Sequence, residues 1–241
     1  MKITVLGCNG LYPSNKINTS GYLLTASEVN IVLDMGSGVF SALKEFVLPE
    51  KVNAIFISHL HYDHIADLGV YNYYLESKAK KGEFFGKIKL LVKNDESAVY
   101  RAIEGLNYFE IVQYGSEAVN LCNLELSFYA MKHPVLSHAV VVKSGQKKFG
   151  YLADGNISKN LEAVIKECDL TVAHAPFLKD QGGEEKPHAT AYGIALLAKK
   201  YNRKVLISHF VPDSNLKELE GEISFANEVC KLVTQGESYL V

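Results

Sequence analysis

The chain has 241 residues, 48% of them apolar and 22% charged, a balance that supports a sizeable buried core and excludes a mostly disordered chain. A formal net charge of −2 excludes a bulk electrostatic pull toward nucleic acid, although a local basic patch is compatible with it. Four scattered cysteines, Cys8, Cys122, Cys168 and Cys230, form no Cys-x-x-Cys pair, so they speak against a zinc ribbon or disulfide framework and for buried thiols in a reducing compartment. The first residues lack the apolar core of a secretory signal, and no apolar run nears the roughly 20 residues that span a bilayer. A soluble cytoplasmic chain with no membrane partner, folded as one domain over residues 1–241, is the expectation.

Residues 2–6 read as a strand, and Gly7-Cys8-Asn9-Gly10 as a turn in which glycines take positive φ cheaply. Residues 21–25 and 29–34 form a hairpin pattern. Asp34 then precedes Met35-Gly36-Ser37-Gly38. There its carboxylate either caps a helix over residues 39–46 or receives an imidazole N–H and so orients a ligating histidine. Residues 54–57, short and rich in β-branched and aromatic side chains, are a buried strand that runs into Ser58-His59-Leu60-His61-Tyr62-Asp63-His64. Imidazole nitrogens and a carboxylate oxygen are ligands that zinc and similar divalent ions take. A single ion rarely takes four adjacent ligands without strain. His59 and His61 are therefore assigned to one ion, and Asp63 and His64 to a neighbour about 3.5–4 Å away.

Residues 66–78 carry Leu68, Tyr71, Tyr74 and Leu75 at helical spacing, an aromatic stripe that reads as core rather than as a base-stacking platform. A strand over 88–92, a helix over 96–106 and a strand over 124–131 follow, the last leading to His133. The first ion needs a third protein ligand that leaves a position open for water or substrate, and His133 and His138 compete for it. Residues 148–152 are a strand ending in Ala153-Asp154-Gly155, by itself a common turn sequence. A helix over 158–167 and a strand over 170–173 deliver His174. The polar loop 179–187 reads as mobile and ends in His188-Ala189-Thr190 at the start of a helix through Tyr201. His188 there is placed to contact a phosphate or protonate a leaving oxygen, or it is a plain loop histidine. Residues 204–208 form a strand with His209 at its exit, and a helix from Asn215 carries Leu216, Leu219, Ile223, Val229 and Leu232.

The His-x-His-x-Asp-His stretch from His59 to His64 resembles the signature of the metallo-β-lactamase-fold hydrolases, and later motifs follow in that family's order over nearly the whole chain, closest to the ribonuclease Z-like branch. The resemblance implies an α/β (α+β) fold, a four-layer αββα sandwich of two mixed sheets with helices on the outer faces. It implies His133 as the third ligand, with His138 lining the cleft or packed. Asp154, in a Gly/Ala-Asp element, becomes the carboxylate between the ions. His209 joins Asp63, His64 and Asp154 around the second ion, Asp34 stands behind a ligating histidine, and His188 falls in a His-Ser/Ala-Thr element. At His174 the chain departs from the ribonuclease Z pattern, where a glutamate is expected; His174 is grouped with Asp34 and His138, behind the ligands or beside the substrate.

The implied cofactors are two divalent metal ions, zinc first and manganese or iron as alternatives. They share a water that attacks a phosphoryl or carbonyl centre, and Asp63 doubles as acceptor of its proton. The implied partner is a phosphodiester substrate, RNA included, and a homodimer is compatible. Enzymes that mature tRNA insert a long flexible arm between the counterparts of His133 and Asp154, where this chain has a hairpin-sized segment, so a small phosphodiester is as credible as tRNA. A carboxylic ester, lactone or thioester hydrolase with the same metals is the alternative, and a non-catalytic, metal-braced binding module a more distant one.

Overall fold

Strands covered on both faces show near-continuous apolar runs, and such runs dominate the sheets of this protein. In the computed structural model, which describes residues 1–212 and 214–241, the first sheet is built from β1 (Lys2–Gly7), β2 (Gly21–Ala26), β3 (Val29–Leu33), β4 (Ala54–Phe56), β5 (Ile88–Leu91) and β6 (Phe109–Val112). The second is built from β7 (Val119–Leu121), β8 (Leu124–Ala130), β9 (His138–Ser144), β10 (Lys147–Tyr151), β11 (Leu170–His174), β12 (Lys204–Ser208) and β13 (Cys230–Leu232). The last strand, β14 (Ser238–Leu240), returns to the first sheet and pairs with β1. The strand orders are β14-β1-β2-β3-β4-β5-β6 and β13-β12-β11-β10-β9-β8-β7. Both sheets are mixed: pairing is antiparallel up to β3 and parallel from β3 to β6, then antiparallel from β7 to β10 and parallel from β10 to β13.

The period-2 alternation divides the first sheet between two cores. Tyr22, Leu24, Ile31, Leu33 and Phe56 share one core with Val140, Val142, Phe149 and Tyr151 of the second sheet. Leu23, Val32 and Ile55, one position out of step, pack instead with the helices α1 (Val39–Leu43), α3 (Leu68–Lys80) and α4 (Ala98–Glu104); the four-residue α2 (Tyr62–Ile65) leads into α3. Beyond the second sheet lie α5 (Lys159–Glu167), α6 (Ala191–Tyr201) and α7 (Leu216–Ile223), which add Leu161, Val164, Ile194, Ala195 and Leu219 to the first core. The result is the αββα layering expected of the family. Ser97, Ser158, Thr190 and Asn215 cap α4 to α7 through side-chain oxygens that accept backbone N–H bonds.

Parallel strands deliver their carboxyl ends to one edge, where ligand sites of such sheets lie. Asp34 follows β3, Ser58 and His59 follow β4, Asp154 follows β10, His174 ends β11 and His209 follows β12. Three of these exits turn through the left-handed region, at Asp34 (φ 59°), Ala153 (φ 51°) and His209 (φ 71°), a conformation that costs a non-glycine residue on the order of 1–3 kcal/mol.

Several local expectations are corrected. The sequence pattern misses β6 and β7, which are short edge strands. The helix after Asn215 stops at Ile223, and Leu232 belongs to β13, whose alternation mimics a continued helical stripe. Gly10 has no positive φ; the left-handed residue of that turn is Leu11 (φ 62°). Cys122 is exposed while the other three cysteines are buried. Among the described residues no helix is long and apolar enough to cross a membrane.

His138 opens β9, where its N–H donates to the carbonyl of Ser58 and its ring lies edge-on to Tyr114 at 5.5 Å. Burial, with the Lys93 ammonium adding, pushes its pKa from 6.5 to about 4. Between those values the unfolded chain binds a proton that the folded chain does not, so stability is full above about pH 6.5 and falls as the pH drops toward 4. His138→Asn should therefore show a smaller loss of Tm between pH 7 and pH 5 than the parent chain. Parallel Tm-against-pH curves for the two proteins would contradict this.

Candidate metal centre

The chain leaves β4 in an extended conformation, and His61 (φ −67°, ψ 145°) is the last residue before α2, which carries Asp63 and His64 in its single turn. This fold-back lets one short stretch present groups in two directions. Two glycines make the room. A Cβ on Gly36 would lie 2.1 Å from the Asp63 carbonyl oxygen, and one on Gly10 would lie 2.6 Å from His209 Nε2. Gly10 is required by the close approach of a ring, not by its own φ.

Seven of the eight histidines gather at this edge, all except His138. Ligand atoms of His59, His61, His133 and Asp154 lie within 4.8 Å of one another, and so do those of His64, Asp154, His174 and His209. Asp154 belongs to both groups. Its Oδ2 is 3.5 Å from His59 Nε2, 3.5 Å from His64 Nε2 and 4.0 Å from His133 Nε2, while its Oδ1 is 3.5 Å from His209 Nε2. Asp63 Oδ2 lies 3.4 Å from His64 Nε2 and 3.7 Å from His209 Nε2, and it accepts the Leu11 N–H at 2.9 Å.

Each of four rings is anchored through its outer nitrogen and turns the other inward. His64 Nδ1 sits 2.6 Å from Asp34 Oδ2, His133 Nδ1 3.1 Å from the Pro187 carbonyl, His209 Nδ1 3.0 Å from Ser20 Oγ and His59 Nδ1 3.0 Å from Ser58 Oγ. Such outer bonds fix the tautomer and orientation of ligating histidines. His61 reverses the pattern: its Nδ1 lies 2.9 Å from His59 Nε2, so these two nitrogens converge on one point. The inner nitrogens of His64 and His133 are buried with no hydrogen-bond partner. Unpaired buried polar atoms aimed at carboxylates and other imidazoles are the arrangement a cation completes, and the donor set of imidazoles and carboxylates suits a divalent ion.

The electrostatics agree for His59, His61 and His209, whereas His64 is held toward its protonated form, which an ion would displace. Burial pushes His59 and His209 well below the usual histidine range, and His61 is lowered by burial and by His133. Neutral imidazoles are the form that ligates. Although burial opposes it, the carboxylates of Asp154 and Asp34 hold His64 well above its ordinary value; Asp154 is in turn held low, against its burial, by His209 and His64. Asp63 is likewise held below the carboxylate range, against its burial, by its bond to His64.

His174 stands close enough to be counted with the second group, but its geometry is that of a support. Its ring is stacked on His209 at 4.5 Å with 13° between the planes. Imidazole lone pairs lie in the ring plane, so two parallel stacked rings cannot both aim at one ion. Its Nδ1 is also already 2.7 Å from Asp154 Oδ1. Asp63 Oδ2, by contrast, faces the inner nitrogens of both His64 and His209.

Asp34 stands behind His64 rather than capping α1, whose N-cap is Gly38. It also accepts bonds from the Ser58 N–H and hydroxyl and from the Tyr151 hydroxyl. His138 lies away from both groups, beside Tyr114. His188 lies at the rim, its Nε2 3.9 Å from Asp154 Oδ2 and its ring 5.4 Å from His133. The loop 179–187, expected to be mobile, is tethered: Asn156 Nδ2 donates to the carbonyls of Gly183 and Lys186, each at 2.8 Å, and Pro187 accepts from His133. Sequence reasoning missed Ser20, Ser58, Tyr22, Tyr151 and the Leu11 N–H. Of these only Ser58, set between a strand end and the first histidine, carried a local signal.

Residues 29–210 match the family described as the beta-lactamase superfamily domain. A probable metallo-hydrolase of Bacillus subtilis, YhfI, is 28% identical over 243 residues, covering 95% of this chain and 96% of that protein. The crystal structure of YhfI, described as a metallo-beta-lactamase fold protein, superposes with a TM-score of 0.90 over 99% of this chain and 98% of that one, at 24% identity. The short form of human tRNase Z superposes with a TM-score of 0.77 at 17% identity, covering 100% of this chain and 99% of that chain. A diphosphatase described as belonging to the PhnP family does so with 0.75 at 15% identity, covering 100% and 97%. The family match runs through every residue of both groups around Asp154, and the chain belongs to the metallo-β-lactamase superfamily as one of its metal-dependent hydrolases.

Proposed function

We propose that this protein is a phosphodiesterase with two divalent ions, acting on small phosphodiesters. The observation that carries this reading is the sharing of Asp154 between the two groups, with His59, His61 and His133 on one side and His64, His174 and His209 on the other, where Asp63 Oδ2 also stands 3.4 Å from His64 Nε2 and 3.7 Å from His209 Nε2. A carboxylate between two positions offsets the repulsion of cations held close together. When bound, such ions supply Lewis acidity toward phosphoryl oxygens and lower the pKa of water. Relatives named ribonuclease Z and a neighbour named a diphosphatase favour phosphorus over carbon as the reacting centre.

The protein's own groups have distinct tasks. Asp63 is held anionic by its bond to His64, and its Oδ2 accepts the Leu11 N–H while facing His64 and His209; this carboxylate orients the attacking water and is the acceptor for its proton. Burial, with nearby imidazoles adding, lowers His188 to about 4, so at neutral pH its ring is uncharged and contacts a phosphoryl oxygen by N–H donation. Next to His188 opens a cavity of about 510 Å³, lined by Lys132, Asn156, Lys179 and Thr190 together with Glu184. Two ammonium groups against one carboxylate make it the place for an anionic substrate.

Size argues against precursor tRNA as the main substrate. Between β9 and β10 only Gly145 (φ 58°) and Gln146 turn the chain, a tight hairpin connection with no arm to grip a folded RNA.

With zinc or manganese restored after chelation, bis-p-nitrophenyl phosphate should be hydrolysed, and both His61→Ala and Asp154→Asn should lower kcat/KM by about 10²-fold or more. Faster turnover of a lactone than of any phosphodiester would reject the reading. Precursor tRNA should be cleaved more slowly than a short dinucleotide in the same assay. Replacing Lys132 and Lys179 together by alanine should raise KM for the dinucleotide by about tenfold with kcat little changed, since distal charges contribute uniform binding; an unchanged KM would exclude the cavity as the substrate's seat.

A further inference from the structure

Behind the metal groups lies a hydrogen-bonded chain that crosses from one sheet to the other. His174, 1% exposed at the end of β11, places Nδ1 2.7 Å from Asp154 Oδ1. Its Nε2 is 3.2 Å from the Tyr22 hydroxyl, which comes from the opposite sheet and lies 2.5 Å from Ser208 Oγ. The Tyr151 hydroxyl, 3.4 Å from the same Nε2, donates to Asp34 Oδ2, the atom that also holds His64 Nδ1. Tyr22, Tyr151, Ser208 and Asp34 are all fully buried.

The bonding pattern assigns the proton. Nδ1 faces a carboxylate and so carries the hydrogen; Nε2 faces hydroxyls and accepts from Tyr22. With Oδ1 pinned in this way, Asp154 has one rotational setting, in which Oδ2 faces His59, His64 and His133. A glutamate at position 174, as in the ribonuclease Z pattern, would set a second carboxylate against Asp154 and could not donate to it unless protonated.

We propose that His174, backed by Tyr22, is the positioning residue that sets the carboxylate plane of Asp154, and that Tyr151 and Asp34 couple this setting to His64. The two deepest groups of the second ion position are thereby adjusted as one unit. The inference rests on the two-ion reading but not on any substrate, so binding of ions, not turnover, tests it. Removing a supporting partner of a ligand costs about 10–100-fold in metal affinity.

The test titrates zinc into the full-length chelated protein against a chromophoric chelator, and records the visible spectrum of the cobalt-loaded form. The parent chain should take two equivalents. His174→Ala should retain the first and bind the second at least tenfold more weakly. His174→Asn, whose amide can donate from nearly the position of Nδ1, should recover most of that loss with a parent-like cobalt spectrum, and Tyr22→Phe should fall between. Thermal melting of each chelated variant identifies any that fails to fold, and Tyr22→Phe, which keeps the ring, still decides the outcome. Unchanged affinity in His174→Ala overturns the proposal. So does an altered cobalt spectrum in a folded His174→Asn, since that makes His174 a ligand. A parent chain that binds fewer than two ions instead removes the two-ion reading, and the proposal with it.

Discussion

An ionised carboxylate taken out of water costs several kcal/mol unless opposite charge and donors surround it. Asp154 is 2% exposed, and that penalty organises the interior of the protein. Imidazoles approach it from the exits of β4, β11 and β12, from α2 and from two loops, His174 donates to one oxygen, and the other is left facing the centre of the group. The two sheets could pack through apolar side chains alone, as they do around Phe56 and Phe149. At this edge they are joined by polar contacts whose partners lie far apart in sequence.

That separation explains what could be read in advance. The ligands from His59 to His64 are local, so their chemistry is visible in a few residues. His133, Asp154 and His209 each follow an apolar strand, which marks them as site candidates, although only the family resemblance assigned them places. The supports carry no such mark. Tyr22 and His174 are 152 positions apart, and Ser20 and His209 are 189 apart; a tyrosine in a buried strand looks like core until its hydroxyl has a partner. The layer architecture was legible only through the family resemblance, while the apolar runs of the inner strands marked them as buried. The edge strands β6 and β7 were not legible, since Glu110 and Asn120 break the pattern at positions that face solvent.

The scaffold is shared far more widely than the sequence, as the tRNase Z superposition at 17% identity shows. Parallel strands bring their ends to one edge whatever side chains fill the sheet, so the fold offers the same edge for a site while access to it is set by the connections. Here the connection beside the site is the loop 179–187, drawn down by Asn156.

The left-handed turns at Asp34, Ala153 and His209 bear on how the molecule is assembled. Local preference pushes each of these residues toward extended backbone, so none would hold its turn in an isolated segment. The turn at Asp34 is held within the first sheet, by the Phe56 carbonyl and the Ser58 N–H, whereas the one at His209 is held between the sheets, the Phe210 N–H donating to the Cys8 carbonyl and the Gly10 N–H to that of Phe210. Because His59, His61 and His64 leave the first sheet while Asp154, His174 and His209 leave the second, neither half of the chain holds the cage by itself, and it is complete only where the two sheets meet.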